Sequence, residues 1–170
     1  NAAPALMGGI ILIRGYEPLD IIQLPIPGNF YCAVVHPEIV VSTKEARSIL
    51  PKAVPMHDAI SQWGNVGGLI AGLYSGNIGL VGRAMKDSVA EPYRKQFIPS
   101  FDELREKIRA AGSMAMNISG SGPSVFSLSD KREIAHKAGE IMKEHFTSRG
   151  VKCDVYVVKV TNKGAKLLAQ

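Results

Sequence analysis

The sequence lacks the features that mark membrane-spanning, disulfide-bonded or zinc-binding proteins. Its 170 residues contain no apolar run of about 18 residues, the length that a membrane-spanning helix needs. Cysteine occurs twice, at Cys32 and Cys153, which fits a reducing compartment better than a disulfide framework. The four histidines show no spacing typical of a zinc site. We therefore expect a cytoplasmic protein with no membrane partner, and both thiols in the core.

What the sequence does contain is enough apolar material for a packed core. Hydrophobic residues make up 46% and charged residues 21%, values of a globular rather than a disordered chain. The length predicts one domain, or one domain and a piece of another. The net charge of +5 is compatible with an anionic ligand or simply with solubility. Because the basic residues are spread along the chain, we expect no nucleic-acid partner.

The hydrophobic pattern predicts an α+β fold. From Phe30 onward the predicted order is strand, helices, strand, strand, helix, strand, which is the ferredoxin-like βαββαβ order with extra helices in the first crossover. Such a domain has an antiparallel sheet with helices on one face. A short helix and two strands precede it. The linker at residues 25–29 is the best internal boundary and divides the chain into residues 1–28, the end of one domain, and 29–170, a second one.

Caps and apolar spacing predict where the helices lie. Ser42 with Glu45 forms a capping box, and Ser100 with Glu103 forms a second one. Asp130 is the predicted cap of the last helix. The two prolines in residues 89–99 predict a loop. A long helix is predicted over residues 56–74, with one buried apolar stripe spaced by three and four residues: Met56, Ile60, Trp63, Gly67, Ile70 and Tyr74.

The glycine-rich stretch at residues 117–126, Asn-Ile-Ser-Gly-Ser-Gly-Pro-Ser-Val-Phe, is the strongest candidate for chemistry. It predicts a strand, a tight loop and a second strand. Gly120 and Gly122 allow positive φ angles, and successive N–H groups in such a loop can form a concave anion site. The hydroxyls of Ser119, Ser121 and Ser124 could add donors. Composition alone leaves a plain hairpin turn equally open.

Two further clusters could bind an anion. In residues 42–47 the start of a helix presents free N–H groups suited to phosphate or carboxylate, with Thr43 and Lys44 in its first turn. Arg47 follows one turn later and could hold a carboxylate with both ends of its guanidinium. An ordinary capped helix with solvated charges is the other interpretation. The third cluster, Glu91-Pro92-Tyr93-Arg94, is by itself a weak signal.

Together these segments resemble the C-terminal half of the homoserine kinases, a family of the GHMP small-molecule kinase superfamily. Residues 118–126 are similar to the third motif of that superfamily. Residues 41–47, Val-Ser-Thr-Lys-Glu-Ala-Arg, resemble the segment after the first strand of the family's second domain. Residues 91–94 match its substrate-arginine loop, and residues 1–9 resemble the stretch that follows a His-x-Asp.

The resemblance implies transfer of the γ-phosphoryl group of ATP, with Mg²⁺, to the hydroxyl of L-homoserine in threonine biosynthesis. By the family pattern, Arg47 and Arg94 hold the carboxylate of the amino acid. Asn1 lies beside the acceptor hydroxyl, and Thr43 lies near the γ-phosphate and Mg²⁺. We expect no set of metal ligands among the residues of this chain. The nucleotide side of the site is shaped by Ser119, Gly120, Ser121 and Gly122.

One departure from the family limits what this chain is expected to do alone. The family's nucleotide loop, Pro-x-x-x-Gly-Leu-Gly-Ser-Ser-Ala, does not occur in these residues. We therefore expect an absent N-terminal domain, little ATP affinity in the 170 residues, and, from the family, a homodimer. Two alternatives stay open: another GHMP kinase of the diphosphocytidyl-methylerythritol or mevalonate type, and a non-catalytic ferredoxin-like module that binds an amino acid or dimerises.

Overall fold

The computed structural model describes residues 2–166. Its helices are α1 (Ala2–Met7), α2 (Thr43–Ser48), α3 (Met56–Ser75), α4 (Ile78–Ala84), α5 (Glu91–Arg94), α6 (Phe101–Ala110) and α7 (Arg132–Thr147), with a 3₁₀ turn at Lys95–Phe97. Its strands are β1 (Ile10–Tyr16), β2 (Leu19–Leu24), β3 (Tyr31–Pro37), β4 (Ala115–Ile118), β5 (Val125–Ser129) and β6 (Cys153–Lys159). None of the helices within this range is long and apolar enough to cross a membrane.

Four of the strands form one antiparallel sheet in the order β4-β5-β3-β6, and β1 and β2 form a separate hairpin. The long strand β3 lies in the middle, so Val35 faces Val125 on one side and Val155 on the other. With β3, β4, β5 and β6 as the four strands, this order is that of the βαββαβ unit. The predicted ferredoxin-like α+β fold is therefore confirmed.

The first face of the sheet is covered by α6 and α7. Because side chains alternate along a strand, Ala33 and Val35 both point to this face. They pack against residues of α7 spaced by four, Ala138, Met142 and Phe146, all fully buried. The result is a continuous apolar cluster between sheet and helices.

The opposite face carries a second layer, made of α3, α4 and the hairpin. Phe30, Leu73, Val81 and Leu128 form its buried cluster together with Leu24 of β2. The expectation of helices on one face only was therefore wrong, because the extra helices of the first crossover cover the other face. Since residues before 29 join this cluster, the hairpin is packed onto the rest of the chain; the boundary between residues 28 and 29 stays a prediction.

The predicted buried stripe of α3 was also wrong. The stripe residue Ile70 packs against the second cluster, whereas Met56, Ile60, Trp63 and Tyr74 are 58–68% exposed. The side of α3 that faces the core carries Leu69, Gly72 and Leu73 instead. A Cβ on Gly72 would lie 2.9 Å from Val81, so glycine at this position permits the close packing of α3 against α4. The helix is apolar on two sides, and spacing alone does not select the buried one.

The caps agree with the sequence in one place out of three. Ser42 accepts a hydrogen bond from the N–H of Glu45 at 3.5 Å, as predicted. Ser100 has φ +49° and ψ +41° and makes no capping bond, because a capping side chain needs an extended backbone to reach back to the helix. Lys131, not Asp130, is the residue before α7. The predicted loop at 89–99 contains α5 and the 3₁₀ turn.

Candidate functional site

The side chain of Arg94 connects the three segments that the sequence singles out. Its Nε donates to the carbonyl oxygen of Ala46 in α2 at 3.4 Å. Its Nη1 donates to the carbonyl oxygen of Gly120 in the glycine-rich loop at 2.9 Å. Residues 42–47, 91–94 and 119–124 therefore meet at one edge of the sheet, as their resemblance to one active site requires.

The glycine-rich loop has a fixed shape. Gly120 and Gly122 have φ angles of +61° and +82°, a conformation that favours glycine. The N–H of Ser119 donates to the carbonyl oxygen of Ser124 at 2.8 Å, and the N–H of Gly122 donates to the carbonyl oxygen of Ser119 at 3.0 Å. These two N–H groups are used inside the loop and are not offered to a ligand. The tight turn between two strands is confirmed, while the nucleotide-side role of residues 119–122 stays a prediction.

A histidine that the sequence left without a role fastens this loop. His36 lies one residue beyond the part of β3 that pairs with β5, and its Nδ1 lies 2.8 Å from the hydroxyl of Ser124. Because Val35 pairs with Val125, the next residue of β3 comes opposite the residue before β5. The contact follows from strand register between residues 88 positions apart, so no local signal in the sequence could have indicated it.

Helix α2 presents one polar face to solvent. Ala46 is fully buried and fixes the opposite side of the helix against the core. Thr43 and Arg47 are exposed and lie four residues apart, on the same side of the helix. The structure therefore places a hydroxyl and a guanidinium on one exposed side of α2, next to the residue whose carbonyl accepts a hydrogen bond from Arg94.

An ion pair that the sequence patterns did not predict connects α5, the helix of Arg94, with α6. Arg105 of α6 contacts both carboxylate oxygens of Glu91, one of them at 2.8 Å, and the Glu91 side chain is 9% exposed. Arg105 also donates to the carbonyl of Met116 at 3.2 Å, and its guanidinium carbon lies 4.6 Å from the ring centre of Phe101. Arg105 is four residues after the buried Phe101, which places a charged residue beside an apolar face and could have signalled a buried partner.

The segment before α5 is held by polar side chains of α3. Gln62 accepts a hydrogen bond from the backbone of residues 86–88, and Asn65 donates one to the same segment, at 2.9 and 3.0 Å. Asp87 then accepts the N–H groups of residues 89 and 90, both at 2.8 Å. These contacts explain why α5 follows a defined turn despite its proline.

Asn117 supplies an acceptor beside the loop. Its Oδ1 is buried and has no hydrogen-bond partner among residues 2–166. Asn117 lines a cavity of about 250 Å³, together with Gln62 and Asn65 of α3. A buried amide oxygen without a donor costs free energy, so this atom is an exception among the buried polar groups of the described residues.

Several residues fall outside this site. Asn1, the predicted neighbour of the acceptor hydroxyl, lies outside the described residues. Burial raises the pKa of the Cys32 thiol to about 11, so it stays protonated. Both cysteines pack against the apolar clusters but are only partly buried, so the prediction of core thiols is confirmed only in part. No group of three His, Cys, Asp or Glu in the described range is placed to hold a metal ion.

Comparisons with known proteins point to one family. Residues 69–148 match the model of the GHMP kinases C-terminal domain. The homoserine kinases of Chlorobium phaeovibrioides and Chlorobium phaeobacteroides (strain DSM 266) are 46% and 44% identical over 170 residues, which is 99% of this chain and 53% of each relative. The crystal structure of homoserine kinase from Cytophaga hutchinsonii superposes with a TM-score of 0.92 at 47% identity, over 96% of this chain and 52% of that one. The chain spans about half the length of the curated relatives it matches.

Proposed function

This chain carries a GHMP kinase C-terminal domain, and on that premise we propose that it forms the acceptor-binding part of a homoserine kinase. In the proposed reaction the hydroxyl oxygen of L-homoserine forms a bond to the γ-phosphorus of ATP. The bond from that phosphorus to the β,γ-bridging oxygen breaks, ADP leaves, and the hydroxyl proton is released. The products are O-phospho-L-homoserine and ADP, a step towards threonine.

The observation that carries the proposal is the pair of hydrogen bonds from Arg94 to Ala46 and Gly120. They join, through one side chain, the three segments on which the resemblance rests. The guanidinium of Arg94 keeps N–H groups beyond the two that these bonds use, since arginine has five. We propose that these groups and the exposed Arg47 hold the homoserine carboxylate. Arginine suits this task because its planar fork matches a carboxylate.

The remaining roles are proposed from the family pattern. Asn1 lies beside the acceptor hydroxyl, where an amide cannot act as a base. Catalysis then rests on positioning and charge stabilisation, which is most of what phosphoryl transfer requires of a protein. Thr43, on the same face of α2 as Arg47, lies near the γ-phosphate. Residues 119–122 form the side of the nucleotide site that this chain contributes.

We propose that ATP is held mainly by the residues that the relatives have and this chain does not. The relatives are about twice as long, and the family's nucleotide loop is absent from these 170 residues. The described residues offer Mg²⁺ no carboxylate cluster, and the Thr43 hydroxyl alone does not make a metal site. Within the proposal, residues 1–28 end the nucleotide-binding domain and residues 29–170 form the C-terminal domain.

A homodimer in the cytoplasm completes the proposal. Two copies of the chain could meet through the exposed apolar side of α3, where Trp63 and Ile60 are 65% and 58% exposed. Gly64 and Gly67 on the same helix have open space at the Cβ position, which permits close approach of a second helix. The two unpaired cysteines are compatible with a reducing compartment.

The function is tested by an ATP-dependent phosphorylation assay of the native full-length protein. L-homoserine, mevalonate and a set of sugars serve as acceptors, and the product is identified by ³¹P NMR. We expect O-phospho-L-homoserine, with kcat/KM for homoserine at least about 10³-fold above that for the other acceptors. A preference for mevalonate or a sugar would assign a different acceptor within the superfamily. If the protein turns over ATP with no acceptor of this set, the proposal is contradicted.

A further inference from the structure

The substrate-binding Arg94 lies on an element too short to hold its own direction. Helix α5 has four residues, and isolated helices of this length do not form in water because nucleation costs more than one turn returns. Its orientation therefore depends on contacts with the rest of the protein. The hydrogen bonds of Arg94 itself to two carbonyl groups are one such set.

The second set starts three residues earlier, at Glu91. This residue opens α5, so Glu91 and Arg94 lie one turn apart on adjoining positions of the helix. Whatever fixes the direction of the Glu91 carboxylate also fixes the rotation of the turn and hence the direction in which Arg94 leaves it. The Glu91 side chain is 9% exposed and contacts the guanidinium of Arg105 with both oxygens.

Arg105 is itself held on three sides. It lies on the ten-residue helix α6, donates to the carbonyl of Met116 in β4 at 3.2 Å, and stacks over the ring of Phe101 at 4.6 Å. The strand that contains Met116 leads directly into the glycine-rich loop, whose Gly120 accepts from Arg94. Two separate routes thus connect Arg94 to the same loop, one direct and one through Glu91, Arg105 and β4.

We propose that Glu91 and Arg105 are positioning residues for the substrate: their partly buried ion pair sets the direction of Arg94 towards the acceptor carboxylate. The inference rests on the proposed function, in which Arg94 binds that carboxylate. A pair that only stabilised the fold would act on all ligands alike. A positioning pair acts on the affinity for the acceptor and leaves the nucleotide unaffected.

The kinetic test uses the native full-length protein with Glu91→Gln and with Arg105→Lys, a change that keeps the charge and loses the fork. We expect the KM for homoserine to rise at least about tenfold, while kcat and the KM for ATP stay within about threefold. Glu91→Asp keeps a carboxylate and should recover part of the loss. Glu106→Gln is the matched control, because Glu106 forms an exposed ion pair with Arg109 on the same helix.

A spectroscopic test needs neither substrate. The Nε–H signal of Arg94 in ¹⁵N NMR reports how ordered its side chain is, and we expect it to be as rigid as the backbone in the wild type and mobile in Glu91→Gln. If the wild-type protein does not phosphorylate homoserine, the proposed function fails while this measurement still judges the positioning.

Two results would overturn the inference. One is an unchanged homoserine KM with an ordered Arg94 signal in both variants. The other is an equal rise of the KM values for homoserine and ATP, which indicates general loosening. If Glu91→Gln does not fold because Arg105 is left unpaired, the double variant Glu91→Leu/Arg105→Met removes the buried charges together. In that variant the same pattern of kinetics and the same Arg94 mobility are expected, and their absence contradicts the proposal.

Discussion

The two sides of the central sheet are built differently. Against its first face, α6 and α7 close an apolar cluster whose main side chains are fully buried. The other side has its own apolar cluster under α3 and α4. Along the adjoining edge, however, α2, α5 and the glycine-rich loop are joined by single hydrogen bonds from Arg94. There large apolar and charged side chains remain exposed. From this difference we predict that truncations in the first cluster lower stability most, and that changes along the edge act mainly on the proposed binding.

The largest effect is expected from truncating a side chain in the first cluster, between the sheet and helices α6 and α7, which we call the closed side. Phe146 is fully buried in the first cluster. Phe146→Ala removes its buried surface and leaves a cavity, so the free energy of unfolding should fall by about 3–5 kcal/mol. Urea unfolding of the full-length protein, followed by circular dichroism, measures it. A loss below about 1 kcal/mol would show that the side we call closed contributes little, and the comparison would fail.

The next effect lies on the binding side. Arg47→Ala removes an exposed side chain that packs against nothing in the core, so unfolding should change by less than about 0.5 kcal/mol. The KM for homoserine should rise about 10–100-fold, since a charged hydrogen-bonding partner of the carboxylate is worth roughly 1.5–3 kcal/mol. Arg109→Ala, which removes an exposed arginine of α6, is the control. Unchanged homoserine kinetics would sink the carboxylate assignment.

A smaller effect, on the pH dependence of the free energy of unfolding, is expected from His145 on the first side of the sheet. Burial, above all, holds the pKa of His145 on α7 below its ordinary value, with Arg149 and Lys107 acting in the same direction and Glu103 and the bond to Pro99 opposing. The unfolded chain then binds a proton more readily than the folded one. Stability should therefore fall as the pH drops below about 6.5, with a slope of at most about 1.4 kcal/mol per pH unit.

The variant His145→Gln checks the origin of that slope. Unfolding measured between about pH 5 and 7 should lose part of its pH dependence in this variant, because the group that titrates differently in the two states is gone. His57→Gln is the control, since the side chain of His57 is 89% exposed. Equal pH profiles for the wild type and His145→Gln would assign the slope to other groups.

The smallest effect on stability is expected on the exposed side of α3. Trp63→Glu should change the free energy of unfolding of the monomer by no more than about 0.5 kcal/mol, because the indole is 65% exposed. If two copies meet there, the same change buries a charge and should convert a dimer to a monomer in sedimentation experiments. A variant that keeps the wild-type mass would place the dimer interface elsewhere.

Much of the fold could be predicted because its signals are local. Turn residues at 119–124, the Ser42 side-chain cap and alternation in β6 each depend on a few neighbouring residues, and the structure has all three. The reciprocal bond from Glu45 that would complete the capping box is not among the bonds of the described residues. The predicted cap at Ser100 was wrong, although its sequence pattern matches the capping box as well as that of Ser42 does. Its backbone conformation, with φ +49°, is outside the extended range in which a serine caps.

The sequence by itself determined the order of the strands and the longer helices, the glycine-rich loop and which three segments could form a site. Tertiary structure alone decided which side of α3 is buried, that Glu91 pairs with Arg105, and that His36 fastens Ser124. The physical reason is the range of the interaction. Periodicity and turn chemistry act over a few residues, whereas these contacts depend on strand register and helix packing between residues 14 to 88 positions apart.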